Sequence, residues 1–224
     1  MKALIIAAHP DDEVLGCGGT IARLSQEGSE VSIAIFGEGI TSRENVQDDR
    51  VLVEELHCQS QEVGSFLGAI DVRFFKLPDN KFDTVPLLEI AKLLEGLIRE
   101  IKPDTIFTQH GGDLNIDHVT LFRAVLTATR PIEGAFVRRV YAFEVGSSTE
   151  WSFGKFSPVF RPNTFINIGA TLEKKVEAMQ MYSGEVRSFP HPRSPEAIRA
   201  TAQRWGSCVG VKAAEAFELI RDIR

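Results

Sequence analysis

Cysteine is scarce. Three occur in 224 residues, at Cys17, Cys58 and Cys208, an odd number with no two close together. That excludes a disulfide framework and a cysteine-rich zinc site, and a reducing compartment is the simple expectation. The opening apolar run is also short. Only six residues, Ala3-Leu4-Ile5-Ile6-Ala7-Ala8, separate Lys2 from the polar His9-Pro10-Asp11-Asp12-Glu13. Six is too few for a signal-peptide core or a membrane span, so the expectation is a cytoplasmic chain with no integral membrane segment. Basic charge is not in excess either. Lys and Arg total 25 against 31 Asp and Glu, a net charge of −6. A chain that must neutralise phosphates needs cationic surface, so nucleic acid is excluded as a general partner. There is no repeat, linker or low-complexity stretch.

What is present is strand and helix in alternation. Residues 3–8 read as a buried parallel strand, and a helix follows from about Glu13 to Gln26, ending at Gly28. Val31–Phe36, Val72–Phe75 and Asp104–Thr108 read as further strands. Between them lie an amphipathic stretch from about Asn45 to Leu67 and a helix from Pro86 to about Ile101. A helix from about Asp117 to Thr129 follows. Beyond it, Arg139–Glu144 and Thr164–Ile168 read as strands, and Leu172–Tyr182, Pro195–Arg204 and Ala213–Arg221 as helices. The alternation predicts a single α/β domain, a three-layer sandwich with a mostly parallel sheet. Residues 1–135 would form its core and 136–224 a portion covering the site.

In open parallel sheets, function sits beyond the carboxyl ends of the strands where strand order reverses. Strands 1 and 4 flank that point in the common order. Strand 1 runs into His9-Pro10-Asp11-Asp12-Glu13, and strand 4 into His110-Gly111-Gly112-Asp113-Leu114-Asn115-Ile116-Asp117-His118. Helix capping accounts for one acid in the first segment, but not for His9 beside three consecutive acids. Two histidines and a carboxylate, His9, Asp12 and His118, suit one Zn²⁺ with a water in the open position. The same donors match the facial triad of Fe²⁺ oxygenases, which composition does not separate from zinc. Asp11, beside a ligand, is placed to act as general base. Asp113 and Asp117 are predicted to orient His118 or His9. Gly16, Gly18 and Gly19 do not make a dinucleotide fingerprint, because Ile21 stands where the third glycine belongs.

The run Ala8-His9-Pro10-Asp11-Asp12-Glu13 with Gly16-Cys17-Gly18-Gly19-Thr20 resembles the PIG-L/LmbE-type N-acetylglucosamine deacetylases. So do Asp113-Leu114-Asn115-Ile116-Asp117-His118 and, for the bacterial branch, Glu185–Glu196 with Ala214-Glu215-Ala216-Phe217. The resemblance implies a Rossmann-like fold and metal-dependent removal of an acetyl group from an amino-sugar nitrogen. It places the ligands on His9, Asp12 and His118 and the base on Asp11. It also implies a small-molecule amino-sugar substrate and, often, a homo-oligomer. Thiol-cofactor branches carry His-Pro-Asp-His where this chain has Asn115 and Ile116. The oxyanion donor must then come from elsewhere, and His191 is the candidate. Arg43, Asp79 and Asn80, on loops at the same edge, are expected to bind sugar hydroxyls or a phosphate, with Asn115 beside them. Arg187 and Arg193 are candidates for an anionic substrate group. Two other readings stay open: a non-catalytic sugar- or nucleotide-binding module, and the iron oxygenase.

Overall fold

The structure is a computed structural model that describes residues 1–39 and 49–224. Arg43 lies outside the described residues. The strands are β1 (Lys2–Ala7), β2 (Glu30–Gly37), β3 (Asp71–Leu77), β4 (Thr105–Gln109), β5 (Arg139–Phe143), β6 (Thr164–Asn167) and β7 (Ala214–Asp222). The helices are α1 (Asp12–Gln26), α2 (Asp49–Leu67), α3 (Leu87–Ile101), α4 (Ile116–Ala128), α5 (Leu172–Met181) and α6 (Pro195–Cys208). All seven strands form one sheet in the order β3-β2-β1-β4-β5-β7-β6. The first five pair in parallel, and β7 runs antiparallel to both β5 and β6.

Strand periodicity makes the three layers. Successive side chains of a strand point to opposite faces, and both faces of β1 are apolar. Ala3, Ile5 and Ala7 pack with α1, α2, α5 and α6. Leu4, Ile6 and Ala8 pack with α3 and α4. A strand covered on both sides reads as a continuous apolar run, as residues 3–8 do. Gly16 lets α1 approach the sheet: a Cβ there would lie 2.1 Å from the Phe143 ring.

One element differs in kind from the sequence reading. Ala213–Arg221, rich in the helix formers Ala, Glu and Leu, is expected to be helical, yet Ala214–Asp222 is strand β7. Its N-terminal half is buried between β5 and β6. Glu215 is buried and accepts from the backbone N–H of Gly19 (2.9 Å) and Thr20 (2.7 Å) in α1. Lys175 Nζ of α5 completes the pair at 2.6 Å from Glu215 Oε1. Long-range pairing and burial outweigh a propensity worth only tenths of a kcal/mol per residue.

Candidate metal centre

The sheet order turns between β1 and β4, and the two segments rich in His and Asp leave those strands at the same end. After β1 the chain makes a tight turn through His9, Pro10 and Asp11 into α1. Asp11 adopts φ 101°, ψ −27°, a left-handed conformation that costs a residue with a side chain about 1–3 kcal/mol. Its carbonyl closes the first turn of α1 by accepting from Val14 (3.0 Å) and Leu15 (2.9 Å). Its own N–H donates to Glu13 Oε2 at 3.1 Å. After β4, Asn115 caps α4, accepting the Asp117 N–H at 2.8 Å. That cap leaves the Asp117 side chain free of capping duty and turned into the site.

His9, Asp12 and His118 converge. Their donor atoms lie within 4.8 Å of one another. Asp12 Oδ2 is 3.5 Å from His9 Nδ1 and 3.2 Å from His118 Nε2. Ligand atoms about 2.0–2.1 Å from a tetrahedral ion are roughly 3.3 Å apart, so these spacings match one ion held between them. Each ring has its outer nitrogen engaged. His9 Nε2 donates to Asp117 Oδ2 (2.9 Å) and lies 3.2 Å from Asp79 Oδ1. His118 Nδ1 faces Asp113 Oδ1 at 3.3 Å. His118 Nε2 is buried and makes no hydrogen bond of good geometry, its nearest acceptor being Asp12 Oδ2. A buried polar atom so placed is costly, and a cation at Nε2 relieves it, so the residues present fit a divalent metal.

The supporting acids are themselves held. Asp117 also accepts the backbone N–H of Asn80 (2.6 Å) and Phe82 (2.9 Å). Asp113 accepts from the hydroxyls of Ser148 and Thr149 and from the Asn115 N–H at 2.9 Å. Gln109 donates to Asp12 Oδ2 at 3.2 Å.

The charges follow from this packing. Burial disfavours the charged rings, yet Asp12 and Asp113 outweigh it and raise His118 to about 9. Hydrogen bonds to Asp117, Asp12 and Asp79 overcome burial in the same way and hold His9 well above its ordinary value. Burial would raise Asp12, but His118 and His9 pull it well below the usual carboxylate range. Asp11 behaves oppositely: burial pushes it well above that range, with Arg193 opposing and Asp12 reinforcing the rise. Glu13 is raised to about 7, mainly by burial.

A cleft of about 170 Å³ opens beside the three ligands. His9, Pro10, Asp11, Gly39, Asp79, Asn80, Asn115, Glu185 and Arg193 line it. A larger cavity of about 300 Å³ lies between α1, α6 and β7 and contains none of the candidate ligands. Of the residues singled out by sequence, His9, Asp11, Asp79, Asn80 and Asn115 thus meet at the cleft. Asn115 uses its Oδ1 as the cap and points Nδ2 at Asn80 Oδ1, 3.3 Å away. Arg193 lines it too, whereas Arg187 and His191 do not. Arg187 is exposed and donates to the carbonyls of Gly184 and Val186 in its own turn. His191 packs edge-on against Trp151 at 5.6 Å, and its Nδ1 accepts the Arg193 N–H at 3.1 Å. That bond leaves the proton of the neutral ring on Nε2, and burial, Arg193 and Arg187 lower its pKa. Sequence reasoning weighed Arg193 only as an anion contact, yet its Nη1 lies 2.9 Å from Asp11 Oδ2. It gave no role to Glu185, Gln109, Ser148, Thr149 or Tyr182. The signal for Arg193 was its place in the motif that holds His191.

Comparison with known proteins adds four findings. A probable N-acetyl-α-D-glucosaminyl L-malate deacetylase of Bacillus cereus is 24% identical over 193 residues, covering 83% of this chain and 84% of its own. The structure of the N,N′-diacetylchitobiose deacetylase from Pyrococcus horikoshii superposes with a TM-score of 0.78 at 21% identity, over 98% of this chain and 84% of that one. GalB, the 4-carboxy-2-hydroxymuconate hydratase of Pseudomonas putida, superposes with a TM-score of 0.76 at 22% identity, over 100% and 97%. The two structures share the fold and differ in reaction. The family model for PIG-L, GlcNAc-PI de-N-acetylase, matches residues 4–129 and so takes in His9, Asp12 and His118, the three converging candidate ligands. The chain belongs to the PIG-L de-N-acetylase family.

Proposed function

We propose that this protein is a zinc-dependent de-N-acetylase acting on an N-acetylated amino sugar or its conjugate. The observation that carries the reading is the convergence of His9 Nδ1, Asp12 Oδ2 and His118 Nε2 beside a buried, unliganded Asp11. Bound there, a divalent ion supplies Lewis acidity to an amide carbonyl and makes water easier to deprotonate at neutral pH. The donor set alone admits Fe²⁺, but a carboxylate poised beside it as a base favours hydrolysis and hence Zn²⁺.

The chain's own residues then divide the work. Asp117 and Asp79 fix the His9 ring, and Asp113 fixes His118, so both present one nitrogen inward. Asp11, made more basic by burial, accepts a proton from the attacking water and returns it to the departing amine. His191 has an Nε2 proton to offer a developing oxyanion, but it stands outside the cleft lining, so its part depends on how the substrate extends past the cleft. Asp79, Asn80 and Asn115 meet the sugar hydroxyls. The cleft is smaller than the ~300–1,000 Å³ of drug-sized ligand pockets, so the acetamido end enters and the rest of the conjugate lies outside it. Among the described residues no helix is long and apolar enough to cross a membrane, and the three cysteines are free. The cytoplasmic setting is part of the proposal and rests on the scarcity of cysteine in the sequence.

The test is a panel of N-acetylated sugars, sugar nucleotides and small glycosides incubated with zinc-loaded and chelated protein. Acetate and free primary amine should appear in equal amounts, with zinc only. Addition of water to an unsaturated acid, as GalB's name describes for that protein, with no acetate from any acetamido sugar would contradict the reading.

A further inference from the structure

We propose that residues 182–193 form a clamp that sets the position of Asp11, with Arg193 and Tyr182 as its two positioning residues. The clamp rests on the reading of Asp11 as the base. One arm takes the side chain. Arg193 Nη1 lies 2.9 Å from Asp11 Oδ2 and 2.9 Å from Glu185 Oε2, while its Nε donates to Ser147 Oγ at 2.9 Å. The other arm takes the main chain. Tyr182 is fully buried and donates its hydroxyl to Glu13 Oε1 at 2.6 Å, and Glu13 Oε2 accepts the Asp11 N–H. The two arms share a base, because the Tyr182 carbonyl accepts from Glu185 (2.9 Å) and Val186 (3.0 Å) in the turn that follows α5. One short segment therefore grips one residue by carboxylate and by peptide.

The residue gripped is the one in the first motif with a left-handed backbone. Such a conformation persists only when its surroundings over-determine it, and the clamp supplies that restraint. Arg193 is poorly suited to bind a substrate anion. Its guanidinium is shared between two carboxylates, Asp11 and Glu185, so the cluster carries net negative charge. In a step limited by proton transfer, a misplaced base slows turnover without changing how substrate or metal is held.

The experiment measures kcat, KM and zinc affinity, the last by competition with a chromophoric chelator, for the wild type, Arg193→Ala and Tyr182→Phe. Arg193→Ala should lower kcat by about 100-fold and Tyr182→Phe by about 10-fold. KM and zinc affinity should stay within about threefold in both. Guanidinium at non-denaturing concentration should restore turnover to Arg193→Ala and not to Tyr182→Phe. A loss that appears in KM marks Arg193 as a substrate contact, and a loss of zinc marks the segment as a support of the metal loop. Either result overturns the clamp, as does unchanged kcat. A wild type inactive on every acetamido sugar sinks the deacetylase reading alone. The clamp is then judged by unfolding of the zinc-loaded protein. Arg193→Ala and Asp11→Ala should be strongly non-additive, and additive effects overturn it.

Discussion

His118 in the metal-free protein is held near pKa 9 by Asp12 and Asp113 against the pull of burial, and Glu13 is raised to about 7. Both groups bind protons more tightly folded than unfolded. For each, the stabilisation is complete below the unfolded pKa, about 6.5 for His and 4.3 for Glu, and is lost as pH rises through the folded value. The folded state therefore holds more protons across this window, and the stability of chelated protein should fall between about pH 5 and 9. Thermal melts at a series of pH values check this; a midpoint that rises toward pH 9 would contradict the charge assignment. A second expectation concerns Asp117, which accepts from His9 and two backbone N–H groups at once. Asp117→Ala should weaken zinc about 10–100-fold while the fold persists, read by chelator competition. Unchanged affinity would show that His9 needs no such partner. The sequence assigns Asp117 to orienting a ring, and Asn115's occupation of the helix cap leaves its carboxylate available for that.

At the scale of elements, β7 ties the two halves of the chain together. Glu215 reaches two N–H groups inside α1 and pairs with Lys175 of α5, all buried. Breaking one partner of a buried ion pair costs about 3–5 kcal/mol because the other is left uncompensated. Glu215→Ala should lose stability of that order in urea denaturation, and a change under about 1 kcal/mol would contradict the role given to the pair. The same strand shows where local reading fails. Ala-Glu-Ala-Phe-Glu-Leu-Ile-Arg has the composition of a helix, and its partners lie some 80 residues away in β5 and some 50 away in β6. β1, in contrast, was legible, because burial on both faces leaves an unbroken apolar run, Ala3–Ala8.

At the scale of the molecule, the sheet turns between β1 and β4, and that topology sets His9 and Asp12 opposite His118, more than 100 residues later. That convergence was legible because strand ends at a switch point are where such residues collect. Arg193 was not read as a partner of Asp11, because the loop after α5 has no periodic pattern to place it. Fold alone does not choose the reaction, since a deacetylase and a hydratase superpose almost equally well. The choice rests on the donors and the base. Within the cluster two triads share His9: one with Asp12 and His118, the other with Asp79 and Asp117. Anomalous diffraction at the zinc edge from zinc-soaked crystals separates them. The account predicts a single peak about 2.0–2.2 Å from His9 Nδ1, an Asp12 carboxylate oxygen and His118 Nε2. A peak on the Nε2 side of His9, between Asp79 and Asp117, or no peak in the cluster at all, would contradict it.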